Sequence, residues 1–208
     1  MWPLRLTLAL LYKSAQGSGI SPRLSKMVKK ARIHPLLEFD HERDQPYTVQ
    51  PGLIWDVNDR PTRAREAMVL RDRNRRSFMR LPAFDPRMTY MRITSTLFPS
   101  EFEWYVDVIN DRGIELGDIL QSIYVFLRCR VSPHEWQRTT PRHQDRVAKS
   151  FYARIDEERD RETSRIEHSR GLLRGDWLLS HTQFVGLAPS YEDPTVWNLI
   201  TRREPKRR

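Results

Sequence analysis

Apolar and polar residues alternate with period two over Trp104–Ile109. Trp104, Val106 and Val108 fall on one face, and Tyr105, Asp107 and Ile109 on the other. A β-rich run, Met91–Leu97, precedes this segment across Pro99-Ser100, so the two predict a hairpin of Met91–Leu97 with Glu103–Ile109. Asn110-Asp111-Arg112-Gly113 then turns the chain, and the period changes. Leu116, Ile119, Leu120, Ile123, Tyr124 and Leu127 recur at steps of three and four, which predicts an amphipathic helix over Leu116–Leu127. Ser132-Pro133-His134-Glu135 sets an N-cap serine, a proline at the first helical position and a glutamate three after the cap, the signature of a capping box. Thr140-Pro141 repeats the cap-plus-proline start, and Val147, Phe151 and Ile155 follow at four-residue intervals. From residue 156 to 170 the apolar stripe is lost and charges alternate in sign, which reads as a solvated helical extension. Gly171–Leu179 reads as a turn and a short helix, and Phe184–Leu187 and Val196–Ile200 as two final strands.

Upstream the pattern is weaker. The folded part starts near Ile33-His34-Pro35-Leu36-Leu37, and Leu53–Val57 after Pro51-Gly52 reads as a strand. Residues 58–88 are Arg-rich, carry Pro61, Pro82 and Pro86, and show no period, so they predict a long loop with one helical turn near Ala64–Leu70. The order of elements indicates an α+β fold: a small mixed or antiparallel sheet, made of the hairpin and the C-terminal strands, packed against two to three helices. The expected organisation is a basic N-terminal extension (1–33), a single domain (34–201) and a basic tail (202–208).

Charge sharpens this division. The 208 residues carry 36 Lys/Arg and 27 Asp/Glu, a net +9. Residues 1–33 hold seven of the basic residues and no acid, and 202–208 hold five against one acid, so the stretch between is slightly acidic at −2. Within that stretch, 57–88 has nine Arg against four acids. Three runs, Lys26–Arg32, Arg71–Arg76 and Arg202–Arg208, offer phosphate contacts, with Lys29, Lys30, Arg73, Arg75, Arg76 and Arg207 as the candidates. They lack the interleaved aromatics of single-strand binders, and solvated tails are the default reading. The single cysteine, Cys129, excludes an internal disulfide framework and a cysteine-based zinc site, and it points to a reducing, intracellular compartment, cytoplasmic or nuclear. The acid-free 1–33 segment reads first as a disordered extension or a gene-model artefact, and second, by composition, as a mitochondrial presequence. Its short apolar run Leu6–Tyr12 fits a secretory signal less well. No run approaches the length of a transmembrane helix.

Catalytic patterns are sparse. His134-Glu135-Trp136-Gln137-Arg138 opens like H-E-x-x-H, but Arg138 stands where a second imidazole would ligate zinc, and Glu135 belongs to the capping box. Cys129 sits near a helix C-terminus, whose dipole opposes a thiolate, although Arg128 and Arg130 favour one. There is no G-x-S-x-G, Walker loop or G-x-G-x-x-G, and the six histidines lack ligand spacing. Asp40-His41-Glu42-Arg43-Asp44 reads as a solvated loop, and Arg174-Gly175-Asp176 abuts an apolar run that should pack it. Asp56, Asp118 and Asp176, each beside apolar neighbours, are the only candidates for acid–base carboxylates. Capping a helix or pairing with an arginine is the preferred role for each. No cofactor and no metal is expected.

Five motifs in order, Ile33-His34-Pro35-Leu36-Leu37, Ile54-Trp55-Asp56-Val57, Gly117-Asp118-Ile119-Leu120, Asp176-Trp177-Leu178 and Phe184-Val185-Gly186-Leu187, resemble a domain-of-unknown-function family expanded in mushroom-forming fungi. The resemblance covers about 34–200. Glu115 departs from it where the family tends to place Thr, and Phe84 interrupts a small-residue stretch at Pro82-Ala83. It implies a fold boundary, a variable insertion at 57–81 and no catalytic residues. His34, Trp55, Asp56, Asp118, Asp176 and Trp177 are the motif positions it marks. The leading expectation is a non-enzymatic intracellular domain acting through a protein partner. Nucleic-acid association through the basic tails and Arg-rich loop is the second, and a hydrolase-type enzyme built on the three aspartates with a histidine is the third.

Overall fold

A computed structural model describes residues 31–39, 52–66, 78–156 and 160–203. In chain order the strands are β1 (Arg32–Ile33), β2 (Leu53–Ile54), β3 (Arg65–Glu66), β4 (Phe84–Asp85), β5 (Tyr90–Thr94), β6 (Val106–Ile109), β7 (Gln183–Pro189) and β8 (Val196–Arg202). The helices are α1 (Leu116–Leu127), α2 (Pro133–Gln137), α3 (Pro141–Asp156) and α4 (Arg161–Arg170), with single 3-10 turns at Pro61–Arg63, Phe78–Arg80 and Arg174–Leu178. The fold is α+β, and its main sheet is mixed, in the order β6-β5-β8-β7. β5 pairs antiparallel with β6 and parallel with β8, and β8 pairs antiparallel with β7. Two antiparallel ribbons, β1 with β4 and β2 with β3, flank it.

The alternation over Trp104–Ile109 survives in three dimensions: Trp104, Val106 and Val108 are buried and Ile109 is exposed. Across the pair, Arg92 faces Asp107, donates to it at 2.8 Å, and stacks its guanidinium 3.8 Å over the Tyr105 ring. The paired strands are shorter than the pattern suggests. Residues 95–105 form a wide connection, with Phe98 and Trp104 turned inward and the Ser95 hydroxyl bonding the Leu199 carbonyl across the sheet. Helix α1 packs on β6 and presents Leu116, Ile119, Leu120, Ile123 and Leu127 as a fully buried stripe. Burying side chains of this size contributes roughly 1.5–3 kcal/mol each.

Two expectations need correction. The helical turn expected near Ala64–Leu70 lies earlier, at Pro61–Arg63, because Pro61 fixes the first helical φ. Ala64 is already extended, and residues 65–66 return as β3 onto β2. Residues 67–77 lie outside the described residues, but the flanks of the Arg-rich stretch do not: Pro61, Ala64 and Phe78 are buried. Likewise 156–170 is not a solvated extension of α3. Asp160 starts a separate helix, its carboxylate accepting from the Thr163 amide at 3.0 Å. Gly171, at φ +70, ends that helix in a backbone conformation that favours glycine. The alternating charges conceal one buried residue, Glu167.

The outer edge of β7 is covered, which removes an exposed template for strand pairing. The Leu187 amide donates to Leu37, Phe39 donates back to Leu187, Phe184 donates to Trp55 and Val57 donates to Thr182. Gly186 permits the approach, since a Cβ there would lie 2.8 Å from the Phe39 nitrogen.

Candidate functional site

The polar interior is organised around Arg154. Three elements converge on this α3 side chain. Asp176, from the Arg174–Leu178 turn, accepts from its Nε at 2.8 Å and its Nη2 at 2.9 Å, a bidentate pair. Glu167, from α4, accepts from its Nη1 at 2.6 Å, and Nη2 also donates to the Gly171 carbonyl at 3.1 Å. Glu167 further accepts from Arg128 at 2.6 Å and Arg170 at 2.9 Å, while Asp176 accepts from the Leu173 amide at 2.8 Å. Desolvation opposes the charge on Arg154, but the hydrogen bonds and attraction of Asp176 and Glu167 outweigh it and raise its pKa.

An aromatic cluster adjoins this lock. Trp177 packs edge-on against Trp104 at 5.3 Å and Trp136 at 6.1 Å, with the His143 ring 5.4 Å away. The Trp104 indole donates to Glu135 at 2.6 Å, and the other Glu135 oxygen accepts from the Ser132 amide at 2.7 Å, so the capping glutamate also anchors the core. Arg174 lies over the Trp104 and Phe126 rings at 4.9 and 4.6 Å. Burial disfavours the Glu135 charge, yet the Ser132 and Trp104 hydrogen bonds and nearby Arg174 hold its carboxyl below the ordinary range. Burial, then the charge of Arg146, pushes the His143 imidazole down against the pull of Glu101.

The described residues form several concave surfaces, among them a cleft away from this interior and a recess that reaches it. A cleft of about 1270 Å³ runs between the β1–β4 ribbon, the chain entering β7 edge pairing at Glu38–Phe39, and the turn from β7 to β8. Phe84 and Trp197 meet in it at 5.4 Å, four prolines (35, 82, 189 and 194) stiffen its walls, and Tyr191 on its rim is 98% exposed. A polar recess of about 820 Å³ lies between α3, the loop after Trp55 and the end of β8.

The motif positions separate accordingly. His34 lines the cleft, and its Nδ1 accepts from the Leu36 amide at 3.2 Å. Trp55 is buried against Phe184 and donates to the Asp59 carbonyl at 3.1 Å. Asp56 accepts from the Asn58 amide, the Thr182 hydroxyl and the Gln183 side chain. Asp118 sits in the first turn of α1 and accepts from the Glu115 amide at 2.9 Å and from Asn110 at 2.7 Å. Asp176 and Trp177 join the lock and the aromatic cluster. Asp56 and Asp176 both border the recess; Asp118 does not, and no histidine lines it. Lys29, Lys30, Arg73, Arg75, Arg76 and Arg207 lie outside the described residues. Cys129 is exposed, its thiol 3.4 Å from the Val125 carbonyl. Among the described residues no cluster of His, Cys, Asp or Glu could hold a metal ion, and no helix is long and apolar enough to cross a membrane.

Sequence reasoning missed Arg154, Glu167 and Arg174. Arg154 flanks Ile155 and Phe151 on the apolar stripe, a weak signal; Glu167 carries none, because its three partners are set by the tertiary fold.

The molecule is thus an α+β domain with concave surfaces of binding size around a charge-locked interior. Residues 53–195 match the model of a family of unknown function (DUF6699), and the chain belongs to that family. The matched span begins at Leu53, after the Ile33–Leu37 motif, and crosses the Arg-rich stretch. Neither curated proteins nor solved structures yield a match.

Proposed function

We propose that this is a non-enzymatic intracellular domain that works by gripping an extended segment of a protein partner in the cleft. The observation that carries this reading is Tyr191, 98% exposed on the rim of a concave wall built from Phe84, Trp197 and prolines. A large aromatic side chain held in water beside such a wall is the kind of anchor on which interfaces concentrate their energy. Charge selects the occupant. Arg32 and Arg87 on the cleft are offset by Glu38, Asp85 and Glu192, a balance suited to a neutral peptide backbone rather than a polyanion. Proline-stiffened walls reduce the ordering cost of binding. The occupancy of the carboxylates argues in the same direction. Both oxygens of Asp176 are bonded to Arg154, and Glu135 and Asp118 are engaged in caps, which leaves them poorly placed for proton transfer. A single cysteine, which allows no internal disulfide, fits a reducing compartment.

Panning a displayed random-peptide library on the full chain tests the proposal, with the double variant Tyr191→Ala/Leu81→Glu as counter-target. Both side chains are exposed, so the fold should survive. A related set of peptides enriched on the parent chain and lost on the variant is the expected result. Failure to enrich any sequence class, or equal binding to the variant, would overturn the proposal.

A further inference from the structure

We propose that the recess beside α3 is a binding site for a compact, multiply phosphorylated small molecule. It is separate from the cleft and does not depend on it. Arg146, Lys149, Ser150 and Ala153, at i, i+3, i+4 and i+7, share one face of α3, and all four line the recess. Arg203 closes it from the end of β8.

The balance of charge in the recess is positive once its pairs are set aside. Arg63 is bonded to Asp59 at 2.6 Å, Arg154 to Asp176 and Arg128 to Glu167. Asp56 keeps its negative charge, held by hydrogen bonds from Thr182, Gln183 and the Asn58 amide, so three cations stand against one carboxylate in the recess. Arg146, Lys149 and Arg203 have no acidic partner among the described residues, and all three are exposed to solvent. Three cations without an acidic partner around one concavity repel one another until an anion neutralises them. The imidazole of His143, one turn before Arg146, is pushed down first by its burial and then by the Arg146 charge. Hydroxyl groups of Ser150 and Ser180 supply donors within the same walls.

Size favours a small ligand. The recess volume falls inside the range of about 300–1,000 Å³ occupied by small-molecule sites. The walls are also preorganised, because Arg154 at the base is fixed by four hydrogen bonds.

The test is calorimetric titration of the full chain with pyrophosphate, ADP and a single-stranded oligonucleotide at two salt concentrations. Pyrophosphate and ADP should bind, more weakly at high salt. Arg146→Gln, Lys149→Gln and Arg203→Gln should each weaken pyrophosphate by about tenfold, the scale of one charge-assisted hydrogen bond. Arg142→Gln, on α3 but off the recess, should bind like the parent. The three side chains are exposed, so an unchanged thermal midpoint shows that loss of binding is local. Absence of pyrophosphate and ADP binding at millimolar concentration overturns the proposal. So does indifference to the three substitutions, or binding of the oligonucleotide alone.

Discussion

Replacing Arg154 by Met removes the centre of the interior ion lock. In the parent protein Asp176 is held by two bonds from Arg154 and one from the Leu173 amide, with its side chain only 1% exposed. After the substitution the amide alone faces a buried carboxylate. Glu167 keeps Arg128 and Arg170 and is less affected. Breaking one side of a buried pair in this way costs about 3–5 kcal/mol, mostly because the remaining charge is stranded. For a chain of this size that is a fall of about 6–20 °C in melting temperature. Asp176→Asn preserves the cap on Leu173 and removes the stranded charge, so Arg154→Met/Asp176→Asn should be more stable than the two single losses summed, by at least about 1 kcal/mol. Chemical denaturation of the four proteins measures this coupling. A fall of less than about 2 °C for Arg154→Met, or strict additivity in the cycle, would refute the assignment of Arg154 as the keystone.

Three further outcomes follow from other parts of the fold. Trp104→Phe strips the indole donor from Glu135 and should cost about 1–3 kcal/mol in urea unfolding. Because the folded Glu135 carboxyl titrates below its ordinary value, its stabilisation is present above about pH 4.5 and fades as pH falls through the folded value, so Trp104→Phe should also flatten that acid limb. His143, pushed down by burial and Arg146, favours its neutral form when folded. Its contribution is complete above about pH 6.5 and declines on acidification, and His143→Phe should reduce the loss of urea midpoint between pH 8 and 5; an unchanged slope counts against the assignment. Gly186→Ala should cost about 1–3 kcal/mol and speed hydrogen exchange at the Phe39 and Leu187 amides, since its methyl group would push the Leu37–Phe39 segment off β7.

The elements most legible in the sequence were those whose burial repeats with a fixed period. The Leu116–Leu127 stripe, the Val147, Phe151 and Ile155 series and the Trp104, Val106 and Val108 face all record a side of the chain turned inward. The Ser132–Glu135 capping box was equally readable, because its two hydrogen bonds are local. What periodicity cannot carry is pairing between distant segments. The parallel contact of β5 with β8 joins residues about a hundred positions apart, and the two-residue strands β1 to β4 are too short to show alternation. Glu167 looked solvated because its alternating neighbours are; only the docking of α4 beside Arg154 and Arg128 buries it. The cleft was hidden for the same reason. Residues 31–39, 81–87 and 189–197 each read as ordinary loop or strand, and their apolar wall exists only where they meet.

The most direct test of the binding account is an amide-shift map of the isotopically labelled chain titrated with a peptide selected for the cleft. Changes should concentrate at His34–Phe39, Leu81–Arg87 and Ser190–Trp197, leaving the Ser150 and Thr182 amides of the recess silent. Changes centred on the recess, or none in the cleft at saturating peptide, would contradict it.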